Sequence, residues 1–156
     1  MICMAESKKA EMSLAGVSLG APMTEVRRML GVPTQVVDTP VKDVTWRAGE
    51  REYSFIRGRT VIKVLEGYYQ KPGMQSEHSS GVLWISVQGV GPEDKSIKTG
   101  LGLSLGDTAK TVRKLYGQAR QVKNHIQIYC ANGSILDIDL SSQGRIVEID
   151  LRVDQE

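Results

Sequence analysis

The feature that most constrains this chain is a repeat within it. Gly16-Val17-Ser18-Leu19-Gly20 returns as Gly102-Leu103-Ser104-Leu105-Gly106. The match runs without a gap through Val26-Arg27-Arg28-Met29-Leu30-Gly31 and Val112-Arg113-Lys114-Leu115-Tyr116-Gly117, and ends at Gln35-Val36 and Gln121-Val122. Nine of the 21 aligned positions are identical, where unrelated segments share roughly one or two. A duplicated segment implies a duplicated piece of structure.

The repeated piece reads as a short helix between turns. Val26, Met29 and Leu30 fall at i, i+3 and i+4, as do Val112, Leu115 and Tyr116, which makes one apolar face. Pro22 suits the first turn of the first helix, and Asp107 or Thr108 the cap of the second. Gly31 and Gly117 stand where a left-handed residue stops a helix, and Pro33 prevents resumption. Helices this short are marginal alone, so the stripe must dock on strands.

Strands follow each copy. In the second, Ile126-Gln127-Ile128-Tyr129-Cys130, Leu136-Asp137-Ile138-Asp139-Leu140 and Val147-Glu148-Ile149-Asp150-Leu151 alternate strictly, the mark of antiparallel strands with one wet face. Asn132-Gly133 and Ser141–Gly144 join them. The first copy offers Val44–Trp46, Tyr53–Phe55 and Val61–Val64, then a linking strand Val82–Val87. A long polar loop from Gln70 to Gly81 is expected between them. The fold class expected is therefore α+β: two tandem units of short helix plus a three- to four-strand antiparallel meander, helices packed on one face of the sheet. Residues 1–13 form an N-terminal segment, 14–88 the first unit with its linking strand, and 89–156 the second.

The phrase G-x-S-L-G, short helix, small loop, strand meander resembles the bacterial outer-membrane-assembly lipoproteins of the BamE (SmpA/OmlA) type. In tandem form it also resembles the β-lactamase inhibitory protein fold. The residues carrying it are 16–31 and 102–117 with the strands after each. The resemblance implies an exported, non-enzymatic protein that binds other proteins through an open sheet face. Neither a lipobox nor the inhibitory protein's paired cysteines is present. Cys3 and Ala5 also have the spacing of a signal-peptidase site, though no charged or apolar region precedes them. Exported, in the envelope or secreted, is the expected address; cytoplasmic is the alternative. Cys130 reads as a buried free thiol, with a bridge to Cys3 as the alternative.

A net charge of +2 with both signs scattered argues against a nucleic-acid binder, which needs a concentrated basic stripe. No apolar run approaches the roughly 20 residues of a membrane-spanning helix. No phosphate loop or metal spacing is present, and no cofactor is expected. His78 and His125 are the only histidines, and neither lies in a recognisable nucleophile context, so no enzyme is expected.

Candidate contact residues come from the wet face. Asp137, Asp139, Glu148 and Asp150 alternate with core residues on neighbouring strands, which places four carboxylates together. Either they form a solvated face, or Arg152 in cis, or a basic partner or calcium ion in trans, offsets them. Trp84 lies opposite Leu83, Ile85 and Val87; it either covers a curled sheet or anchors a ligand. Tyr129 and Gln127 share one wet face, Tyr69 flanks the long loop, and Trp46 reads as core. The expected function is a non-catalytic protein-binding module, inhibitor-like or assembly-accessory. A small-ligand carrier and a purely structural domain are the rivals.

Overall fold

The computed structural model describes residues 13–89, 96–117, 119–130 and 133–153. Met1–Ser7, with its expected cleavage site, and Asn132 lie outside them.

Long strands dominate. A tight hairpin, β1 (Ser13–Leu14) and β2 (Val17–Ser18), leads into helix α1 (Met23–Leu30). Four strands follow: β3 (Gln35–Pro40), β4 (Arg47–Arg57), β5 (Thr60–Gln70) and β6 (His78–Gln88). Helix α2 (Ala109–Tyr116) then precedes β7 (Arg120–Val122), β8 (His125–Tyr129), β9 (Ser134–Leu140) and β10 (Ile146–Val153). The last eight strands form one antiparallel sheet in the order β3-β4-β5-β6-β10-β9-β8-β7.

This corrects the expected α+β class. The fold is mostly antiparallel β, and the two helices are eight residues each. The two halves join in a single eight-stranded layer, because β6 and β10 pair over five consecutive positions, from Trp84↔Arg152 to Gln88↔Glu148. Three strands of eleven residues each run beyond the alternation visible in sequence. Val44–Trp46 is not a strand: both Val44 and Trp46 are exposed, and β4 begins after them at Arg47. The loop expected from Gln70 to Gly81 shrinks to residues 71–77, because β5 and β6 extend into it. The strands missed in the large sheet are β3 and β7, its two edges, whose exposed residues show no alternation, and the short β1–β2 hairpin was missed as well.

The duplication persists as local geometry. Gly20 and Gly106 take φ of +84° and +88°, where a side chain is strained. Each donates its N–H to the last long strand of its own half, Gly20 to Val82 O and Gly106 to Ile146 O, both at 2.8 Å. Ala21 and Asp107 accept the return bonds from Val82 and Ile146. Gly31 and Gly117 end the helices at positive φ, but with ψ of −152° for each, so they are not the left-handed helical residues expected.

One face of the sheet carries the core. Val26 and Leu30 of α1, with Val112 and Tyr116 of α2, pack on Phe55, Ile62, Val64, Ile85, Val87, Ile126, Ile128, Ile138 and Ile149. Tyr116 is fully buried, and its hydroxyl donates to Thr99 Oγ1 at 2.7 Å, which removes the cost of an unpaired polar group. Met29, expected in the stripe, is half exposed. Cys130 is buried as expected but is disulfide-bonded, not a free thiol.

Candidate functional site

The opposite face of the sheet is open, and the strand registers line its side chains in rows. The first row runs Val37, Glu52, Leu65, Trp84, Arg152, Ile135, Tyr129. The second runs Ser54, Lys63, Ser86, Asp150, Asp137, Gln127, Arg120. The third holds Gln88, Glu148, Asp139 and His125. Trp84, Tyr129, Gln127 and the four carboxylates thus share one face. Tyr69 falls on the same face, four residues along β5 from Leu65, but beyond the rows, where it is tilted on His78 with ring centroids 4.9 Å apart.

Trp84 owes its surroundings to an irregularity in β6. The register shifts between Leu65/Trp84 and Glu66/Val82, so Leu83 is an extra residue opposite β5. Such bulges twist a strand and re-aim its side chains. Leu83, expected in the core beside Ile85 and Val87, instead lines an open cleft with Trp84. The cleft is about 380 Å³ and is completed by Leu65 on β5, Glu50 and Glu52 on β4, and Arg152 and Val153 on β10. Trp84 is half-buried on its floor. Glu50 and Glu52 were not singled out by sequence; their alternation about Arg51 was the available signal. Neither has a hydrogen-bond or ion-pair partner among the described residues. Arg152 is already engaged, with its Nε 3.3 Å from Asp137 Oδ2.

The acidic rows are partly self-neutralised. Asp137 accepts from Gln127 Nε2 at 2.8 Å and faces His125 Nε2 at 3.2 Å. His125 Nδ1 meets Asp139 Oδ1 at 2.8 Å, and that hydrogen bond raises the imidazole's pKa against the opposing effect of burial. Asp150 is pushed up to about 8, first by burial, then by its hydrogen bond with Glu148. Its Oδ1 is sealed without a partner among the described residues. Carboxylate oxygens of Asp139, Glu148 and Asp150 lie within 4.8 Å of one another. One proton shared in this group relieves the repulsion.

A second polar constellation, unforeseen from sequence, sits on the helix side of the sheet. Arg51 donates both guanidinium nitrogens to Glu77, the Nη2–Oε2 bond being 2.9 Å, and lies 3.9 Å from the Tyr68 ring centroid. The buried Glu66 accepts from the Tyr53 hydroxyl and from Ser79 Oγ at 2.6 Å. Tyr68 donates to Asp38 Oδ1 at 2.6 Å. The hydrogen bond from Arg51 lowers the Glu77 pKa, and burial pushes Tyr53 up to about 12. These bonds fasten β3, β4, β5 and the start of β6 together. Both Glu66 oxygens are occupied, so we read the cluster as structural.

The fold and face describe an antiparallel β-sheet domain covered on one side by two short helices. No protein-family model and no curated protein matches the chain. Among solved structures it is similar to a DUF4309 family protein (YjgB) from Bacillus subtilis subsp. subtilis str. 168. The identity is 17%, over 93% of this chain and 88% of that chain, with a TM-score of 0.45. A likeness at that level carries no argument about the site. The resemblance to BamE-type lipoproteins and to the β-lactamase inhibitory protein is corrected accordingly: the similar structure belongs to another family, and the chain is mainly β. No helix among the described residues is long and apolar enough to cross a membrane.

Proposed function

We propose that this protein is a non-catalytic protein-binding module that uses the open face of its sheet. The observation that carries the reading is the bulged presentation of Trp84 on a broad polar face, between unpaired glutamates and a tethered arginine. A half-buried aromatic with an adjacent polar rim is the arrangement found at the centre of protein interfaces. Tyr129, 43% exposed on the same row, extends it. His125, the histidine nearest carboxylates, stands on the same open face outside the Trp84 cleft, which favours binding over acid–base chemistry. An exported address is part of the proposal.

The test is capture from an envelope extract on wild-type protein and on Trp84→Ser/Tyr129→Ser protein, after which the captured protein is identified, purified and rebound. The proposal expects rebinding to wild type and its loss in the double variant. Rebinding of equal strength to both removes the open face from the function. A small-ligand carrier is the second reading, favoured by the discreteness of the Trp84 cleft. It expects a free compound, not a protein, to raise the unfolding temperature of wild type and not of Trp84→Ser.

A further inference from the structure

We infer that the Trp84 cleft is a socket for one lysine or arginine side chain, carried by a basic segment of a partner protein. The inference rests on the reading of the open face as a protein-binding surface and names the chemistry it recognises.

Three observations combine. Glu50 and Glu52 stand at one wall of the cleft and have no cation among the described residues. Trp84 forms the floor with Leu65, Leu83 and Val153. A tryptophan face attracts a cation electrostatically, and the apolar residues suit the methylene stem of a long basic side chain. Arg152, the cleft's own cation, is drawn toward Asp137 rather than toward the glutamates. The cleft therefore offers negative charge and an aromatic surface that no cation of the described residues engages.

The rest of the face extends the complementarity. The chain as a whole carries a net charge of +2. Yet the three rows hold Glu52, Asp137, Asp139, Glu148 and Asp150 against Lys63, Arg120, Arg152 and His125. With Glu50 added, six carboxylates stand against four basic groups, and Glu50 and Glu52 at the cleft have no cation partner among the described residues. Such a surface selects basic partners and repels acidic ones. The bulge at Leu83 makes the socket, because a regular β6 would send Leu83 to the other face.

The experiment uses Trp46→Phe protein, so that Trp84 is the single tryptophan, and follows its fluorescence. The probes are N-acetylated hexalysine and hexaarginine, with hexaglutamate and spermidine as comparators. Saturable binding of a basic peptide is expected, weakening with salt. Glu50→Gln/Glu52→Gln should bind about tenfold more weakly. Asp139→Asn/Glu148→Gln, on the same face but outside the cleft, should weaken binding by less than the cleft pair does. Unchanged unfolding temperatures establish that both variants are folded. Peptide binding that survives the glutamate substitutions but falls in the Asp139/Glu148 variant overturns the socket and leaves the open-face reading intact. Spermidine binding as tight as hexalysine overturns the partner segment in favour of a free polyamine. Absence of binding by either basic peptide also overturns the socket; the Trp84/Tyr129 capture experiment then judges the open face separately.

Discussion

Replacing Asp150 by asparagine should flatten the pH dependence of stability. Asp150 lies on β10 between Ser86 and Asp137, with one oxygen sealed without a partner among the described residues and Glu148 and Asp139 nearby. Its pKa rises from the ordinary 3.8 to about 8. Between those two values the folded state keeps a proton that the unfolded chain has released. The unfolding free energy therefore falls as pH rises from about 4 to about 8, and levels off above. For an isolated carboxyl, so large a rise would be worth about 6 kcal/mol. The cluster is only partly buried and shares its proton with Glu148, so screening by water reduces this to about 2 kcal/mol. Asparagine has nearly the same shape and no titration. Urea unfolding at intervals from pH 4.5 to 8.5 should show wild type losing about 2 kcal/mol more than Asp150→Asn across the range. Equal slopes for the two proteins would refute a proton held at Asp150.

His125 adds a smaller component of the same sign. Its raised pKa stabilises the fold fully below 6.5, and this is lost as pH rises through the folded value. Because the ring is nearly half exposed, His125→Gln should remove under about 1 kcal/mol of the pH-dependent loss in the same titration. Gly81→Ala should destabilise by about 3 kcal/mol in urea unfolding, because φ is +73° and the new Cβ would sit 2.4 Å from Gly20 O. Gly73→Ala, also at positive φ but with nothing within 4 Å, should cost only about 1 kcal/mol. Arg51→Met should cost about 2 kcal/mol, because Glu77 loses its paired bonds and keeps only the 3.6 Å contact with exposed Arg47, and buried Glu66 loses its nearest cation. Arg51→Lys should recover little, because the paired bonds to Glu77 and the stacking on Tyr68 both need a guanidinium.

What the sequence disclosed followed from periodicity. The alternation through Ile126, Leu136 and Ile149 located β8, β9 and β10 and placed Asp137, Asp139, Glu148 and Asp150 on one face. Val112 and Tyr116 were recognisable as a helix stripe. Periodicity failed where the pattern itself breaks. The extra residue in β6 shifts Leu83 across the sheet, and no local signal marks it. Edge strands bury little on either face, so β3 and β7 carry no alternation to read. The charged residues of β4 conceal an eleven-residue strand, because Arg51 is held on the core side by Glu77 and Tyr68. The α+β expectation overweighted two helices that were clear in sequence but contribute only two turns each. The cleft depended on register across four strands, which alternation within any one of them does not contain.

The pairing of β6 with β10 also bears on how the molecule assembles. Gln88 faces Glu148 across the middle of the sheet, so the central ladder closes over a span of about sixty residues. Loop-closure entropy for such a contact is paid before its hydrogen bonds form. The strand that completes the centre is the last one described along the chain. Until it arrives, β6 and β9 are both bare edges with unpaired amides and carbonyls, templates for any other extended chain. Folding should be slow for a protein of this size, with refolding times of milliseconds to seconds in stopped-flow mixing. A variant lacking β10 should aggregate, because it would expose two hydrophobic edges in the interior of the sheet.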